Sequence, residues 1–222
     1  MFETVVRFFQ DGGVFMYPIA IVLVIGVAIA VERYIYLSVA KLSNRADFNK
    51  LIMMIGRKDY LNALKQAKQS KTAMSTIVEA GLTRLLNRQP RDQIEYAMEE
   101  GLMEVLPRLE KRTQYLATLA NVSTLLGLLG TIIGLIAAFT AVANADPAEK
   151  ANLLSKSISV AMNTTAFGLI AAIPLLLVHA ILQTKTNEIV DSFEMAGIKI
   201  MNLISEKPAQ AAPVAKAAPE RT

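Results

Sequence analysis

Three stretches of this 222-residue chain run without an Asp, Glu, Lys or Arg for long enough to cross a bilayer, and nothing else in the sequence limits the fold as much. A spanning helix needs about 20 mostly apolar residues. Residues 12–31, 113–145 and 157–184 each supply them. Backbone polar groups find no water in hydrocarbon, so each stretch is predicted to be a helix that bonds its own backbone. The expected fold class is an all-α integral membrane protein, with three transmembrane helices and long cytoplasmic helical extensions.

The segments between and around the spans read as follows. Residues 1–11 carry Phe2, Val5, Val6 and Phe9 at helical spacing and predict a short interfacial helix. Residues 12–37 form the first span, which ends beside Glu32 and Arg33. Glu3 and Asp11 precede that span and no small-residue cleavage site follows it, so it is expected to be retained rather than cleaved. Residues 38–113 are polar and helical. Met74, Ile77, Val78, Leu82 and Leu85 make one apolar stripe, and Ile94, Ala97, Met98, Leu102 and Val105 make another. Pro90 fits a first turn, and Pro107 is a candidate kink. Nothing after Arg112 signals a stop, so this helix is expected to run directly into the second span, 114–145. A polar link, 146–156, leads to the third span, 157–184, which contains Pro174. Residues 185–205 extend that helix, and 206–222 are an Ala-, Pro- and charge-rich tail expected to be disordered.

Charge sets the expected topology. From Arg33 to Arg112 the chain carries fifteen of its twenty-three Lys and Arg residues; Arg7 alone precedes the first span, and Lys150 and Lys156 lie between the second and third. The positive-inside rule then places 38–113 and the C-terminus in the cytoplasm, and the N-terminus and the 146–156 link on the outer side. The same distribution reads as a topology signal rather than a nucleic-acid patch, and no nucleic-acid motif accompanies it.

Composition removes several chemistries. With no cysteine and a single histidine, His179, thiolate metal sites, thiol catalysis and His-rich relays are excluded. No paired Asp, Ser–His or metal constellation falls within a span, so an intramembrane hydrolase is not expected and no catalytic residue is assigned. His179 lies near the inner end of the third span and is expected to be an interfacial, hydrogen-bonded histidine.

Two of the spans are unusually polar for lipid-facing rods. Thr124, Gly127, Thr131, Gly134, Ala138 and Ala141 share one face of the second. Ala161, Thr165, Gly168 and Ala172 share one face of the third, with Ser157, Asn163 and Thr164 beside it. Two readings stand. In one, small residues (Gly127, Gly130, Gly134 and Gly168, with Pro174 shaping the third helix) let the helices pack, and hydroxyls bond their own backbone. In the other, Thr131, Thr165, Thr164, Asn163, Thr124 and Ser157 line a polar path that holds water or an ion. The central membrane region holds no acidic or basic residue, whereas proton-moving chains normally carry one there. Any titrating group would come from a partner. Glu32 and Arg33 are read as a charge pair at the inner rim.

The segment 127–135, Gly-Leu-Leu-Gly-Thr-Ile-Ile-Gly-Leu, and the segment 161–174, Ala-Met-Asn-Thr-Thr-Ala-Phe-Gly-Leu-Ile-Ala-Ala-Ile-Pro, resemble the signature segments of the ExbB/TolQ/MotA ion-channel family. Val-Glu-Arg-Tyr at 31–34 is similar to a third. Three spans fit the ExbB/TolQ branch. The resemblance implies a bacterial inner-membrane homopentamer whose second and third spans surround single-span helices of an ExbD/TolR-like partner, which supplies a membrane aspartate. By motif position, Thr131 and Thr165 match the family's pore-lining threonines. Val160 stands where many relatives carry glutamate, which leaves the outer ion path and the identity of the ion open. The implied function is to energise TonB-dependent outer-membrane transport with the proton motive force, through a TonB-like protein. A TolQ-like envelope motor, a sodium-driven variant and a non-conducting scaffold are the alternatives. No cofactor is expected beyond the carried ion, H⁺ or Na⁺.

Overall fold

A computed structural model describes residues 12–143 and 145–205, and these form six helices joined by short turns. They are α1 (Met16–Gly56), α2 (Tyr60–Gln69), α3 (Ala73–Leu86), α4 (Arg91–Glu110), α5 (Thr113–Ala143) and α6 (Lys150–Ser205). The expected interfacial helix 1–11 and the tail 206–222 lie outside the described residues, as does Asn144.

Three helices are long and apolar enough to cross a membrane: α1, α5 with the α4 helix that precedes it, and α6. At 1.5 Å per residue, the 41 residues of α1 and the 56 of α6 run for roughly 60 and 84 Å, against a hydrocarbon core of about 30 Å. Both must therefore project well beyond the bilayer. Pro174 lies inside α6 without ending it.

The described residues fall into two compact units. The first comprises the chain up to Ser43 together with Val105–Asp191. Here α1 and α6 run parallel: Gly26 faces Leu175, Ser38 meets Lys185, and Lys41 meets Glu188, at a nearly constant sequence offset. By contrast α5 runs antiparallel to α6, with Gly127 against Thr165 and Gly168, and Gly134 against Ala161. The remaining faces expose Val24, Val31 and Ile35 on α1, Leu125, Ile132 and Ile136 on α5, and Ile170, Ile173 and Leu177 on α6. So continuous an apolar surface is untenable in water and natural in lipid.

The second unit comprises Asn44–Glu104 and the chain from Ser192. Its core takes Leu51 and Ile55 from α1, Ile77, Val78 and Leu82 from α3, Ile94 and Met98 from α4, and Phe193 and Ile200 from α6. The α3 and α4 residues among them belong to the stripes that helical spacing predicts. The start of α3 is tied down from α1. Thr72 is its N-cap and accepts from the Ser75 amide at 3.3 Å. Asn44 Oδ1 accepts from the Met74 amide at 2.8 Å. One turn on, the Asp47 carboxylate accepts from the hydroxyls of Ser70 and Thr72, the latter at 2.7 Å.

One expectation is corrected. The helix before the second span does not run into it. It ends at Glu110, and α5 starts afresh at Thr113. Arg112 makes the break, with φ of 67°, in the left-handed region where a helix cannot continue. No Gly or Pro marks the spot, so the sequence carries no stop signal there. Pro90 precedes α4 rather than lying in it, and its carbonyl accepts from the Ile94 amide at 3.3 Å.

Candidate ion pathway

The middle of the site is a close crossing of α5 and α6 made possible by glycine. A Cβ on Gly127 would lie 3.2 Å from the Thr165 Cα and 3.3 Å from the Gly168 Cα; one on Gly168 would lie 2.7 Å from the Ser123 carbonyl oxygen. Gly130 and Gly134 continue the crossing, against the Thr164 methyl and the Ala161 Cβ. With the backbones this close, the Thr165 hydroxyl donates across the interface to the Gly127 carbonyl at 2.8 Å.

The other hydroxyls sort by partner. Thr131, half-buried on α5, donates to its own Leu128 carbonyl at 2.6 Å. Thr124, exposed, donates to Ala120 at 3.2 Å. Thr164 is only 2% exposed, and its Oγ1 lies 2.6 Å from the Gly12 carbonyl and 2.9 Å from the Val160 carbonyl. Its proton is thus held within the chain, between α6 and the loop that enters α1. Ser157 and Asn163 are half-buried on α6. Ser123, fully buried opposite Gly168, has a hydroxyl without a partner among the described residues.

A hydroxyl has one proton and two lone pairs. In Thr131 and Thr165 the proton is already placed on a backbone carbonyl, and the lone pairs remain. These oxygens can accept a hydrogen bond or ligate a cation. They cannot donate to an anion without giving up a backbone bond. No Asp, Glu, Lys or Arg lies among the described residues of α5, and none lies on α6 between Lys156 and Lys185.

Toward the C-terminal end of the first span, Glu32 and Arg33 take different partners. Glu32 pairs with Arg112 at 3.0 Å, whereas Arg33, 3% exposed, donates to the Leu109 carbonyl and stacks on Tyr36, 4.6 Å from the ring centroid. Beside them, the Lys185 ammonium sits 3.7 Å from the Tyr34 ring centroid. The hydrogen bond and charge of Lys41 hold the Glu188 carboxyl below its ordinary range. His179 is half-buried, and its Nε2 has no hydrogen-bond partner among the described residues. The hydrogen-bonded histidine expected from sequence is therefore not met on that nitrogen.

The profile of the MotA/TolQ/ExbB proton channel family matches residues 69–195. A protein of Methanothermobacter thermautotrophicus described as a biopolymer transport protein ExbB homolog is 30% identical over 196 residues, which is 87% of this chain and 68% of the relative. The Tol-Pal system protein TolQ of Haemophilus influenzae is 37% identical over 93 residues, 42% of this chain and 40% of that protein. A biopolymer transport protein ExbB-like 3 of a Synechocystis strain is 29% identical over 168 residues, covering 75% and 79% of the two chains. With three apolar spans and this match over more than half its length, the chain is a multi-pass membrane protein that belongs to the MotA/TolQ/ExbB proton channel family.

Proposed function

We propose that the chain is the pore-forming subunit of an ion-driven motor of the ExbB kind in a bacterial inner membrane. On this reading it assembles as a homopentamer around the membrane helix of an ExbD/TolR-like partner, which carries the titrating carboxyl group. The N-terminus faces the periplasm and the C-terminus the cytoplasm, as the distribution of Lys and Arg favours.

The observation that carries the proposal is the orientation of the two threonines. Thr131 and Thr165 offer lone pairs in a region without any charge of its own. Such oxygens favour the protonated form of a carboxyl, which donates, over the carboxylate, which only accepts. An isolated carboxylate in an apolar environment is so costly that it takes up a proton instead. A partner carboxyl would therefore pass this ring neutral and ionise again where water is available. Proton entry and exit on opposite sides then ratchet the partner helix, and its outer domain does the work. Energising TonB-dependent transport is the first downstream role. The similarity to TolQ favours a Tol-type envelope role as the second.

Proton flux into vesicles that hold the chain with its partner tests the proposal. Changing the partner's membrane carboxyl to an amide should abolish flux. A scaffold would be indifferent to that change. The same lone pairs suit Na⁺, and flux that follows a sodium gradient at constant pH would assign the sodium-driven variant.

A further inference from the structure

Two adjacent residues of α1, Glu32 and Arg33, contact the break between α4 and α5. It contains no Gly or Pro, and its left-handed residue is an arginine. A non-glycine residue in that conformation is strained and needs support. Lys58 and Arg88 are followed by amides that bond back across their helix ends. At the α4–α5 break two contacts from α1 are in place. Arg112, at φ 67°, is engaged by Glu32 at 3.0 Å. Leu109, in the last turn of α4, has a carbonyl that faces the end of its helix and so lacks an ordinary intrahelical donor. Arg33 donates to it. Its cationic head also sits where the negative end of the helix dipole falls. The Tyr36 ring, one turn further along α1, supports the guanidinium from its face at 4.6 Å. Near hydrocarbon an unpaired carbonyl is expensive, so this bond is worth more here than at a watery surface.

We propose that Glu32 and Arg33 are positioning residues that clamp the α4–α5 break. Glu32 fixes the left-handed residue and Arg33 caps the helix that ends there. The clamp sets where α5 begins, and α5 is continuous from Thr113 through Thr131. It thereby sets the level at which the Thr131 oxygen stands against α6. That last consequence rests on the ion-pathway reading; the clamp does not.

Amide hydrogen exchange across residues 109–116, in the full chain in lipid nanodiscs, tests the clamp without any ion flux. Arg33→Ala should speed exchange there at least tenfold. Glu32→Arg and Arg112→Glu should each speed it at least threefold, and the double exchange of charges should return it to within twofold of the parent chain. Both of those residues are half-exposed, so these variants should fold even if Arg33→Ala does not. Unchanged exchange in the single variants, or a double variant no better protected than either single one, would overturn the clamp. A parent chain that passes no ions with its partner, yet shows this exchange pattern, would sink the ion-pathway reading and leave the clamp standing.

Discussion

The hydroxyl of Thr165 on α6 reaches the carbonyl of Gly127 on α5 at 2.8 Å, and it does so because Gly127 has no side chain. A Cβ at that position would press on the Thr165 Cα at 3.2 Å. Close approach and hydroxyl orientation are thus one feature. The glycine admits the neighbouring helix, and the approach parks the threonine proton on a backbone oxygen, leaving its lone pairs able to accept.

That crossing should be intolerant of a methyl group where the obstacle is backbone. Gly168→Ala would place its Cβ 2.7 Å from the Ser123 carbonyl oxygen. Separation of the helices should cost about 1–3 kcal/mol. Gly56→Ala, with nothing within 4 Å of the added carbon, should be neutral or stabilising by up to about 1 kcal/mol. Thermal unfolding of the two variants in detergent, compared with the parent chain, checks the contrast.

Thr164 should behave as a staple. Its oxygen lies 2.6 Å from the buried Gly12 carbonyl, so Thr164→Val leaves that carbonyl unpaired. A loss of about 1–3 kcal/mol is expected, with Thr164→Ser recovering most of it. Protease sensitivity of the segment before α1, measured on both variants, reads out the same loosening.

Acid should weaken the second unit through Asp47. Partial burial pushes this carboxyl up. Hydrogen bonds from Ser70, Thr72 and Ser75, with Lys50 nearby, outweigh that and hold it below its ordinary range. A carboxyl whose pKa is lower folded than unfolded stabilises fully above the unfolded value of about 4, and that stability is lost as pH falls through the folded value. Asp47→Asn should flatten the dependence of unfolding on pH below about 4. At neutral pH it should cost about 1 kcal/mol. Titration of stability by circular dichroism distinguishes the two slopes.

Lys58 and Arg88 close α1 and α3 in the left-handed region, with φ of 61° and 56°. The amides that follow bond back across the helix ends, Asp59 to Met54 at 3.0 Å and Gln89 to Arg84 at 3.1 Å. Glycine is preferred at such a position. Lys58→Gly or Arg88→Gly should therefore gain about 0.5–1 kcal/mol, after the extra freedom of glycine in the unfolded chain is deducted. Chemical denaturation of either variant checks the sign.

What the sequence made legible was local. Uncharged runs located the spans, and the 3.6-residue stripes around Ile77 and Ile94 located the helical core of the second unit. Small residues at 127, 134, 161 and 168 placed the α5–α6 contact. What stayed hidden was every polar contact whose partner is distant. The break at Arg112 depends on Glu32, 80 positions earlier. Thr164 answers to Gly12, 152 positions earlier. Asn44 and Asp47 look like ordinary polar residues of a long helix until α3 folds back onto them. Periodicity records which face is buried, and it is silent about which buried polar atom meets which.

The most direct test of the account is proton flux through the assembled complex with Thr165→Val beside Thr165→Ser, after each is shown to assemble with its partner. Serine keeps the oxygen and its lone pairs, while valine keeps the shape and removes them. The account predicts flux within about threefold of the parent chain for serine and a loss of at least about tenfold, roughly 1.4 kcal/mol in the barrier, for valine. Equal flux in parent, serine and valine chains would contradict it.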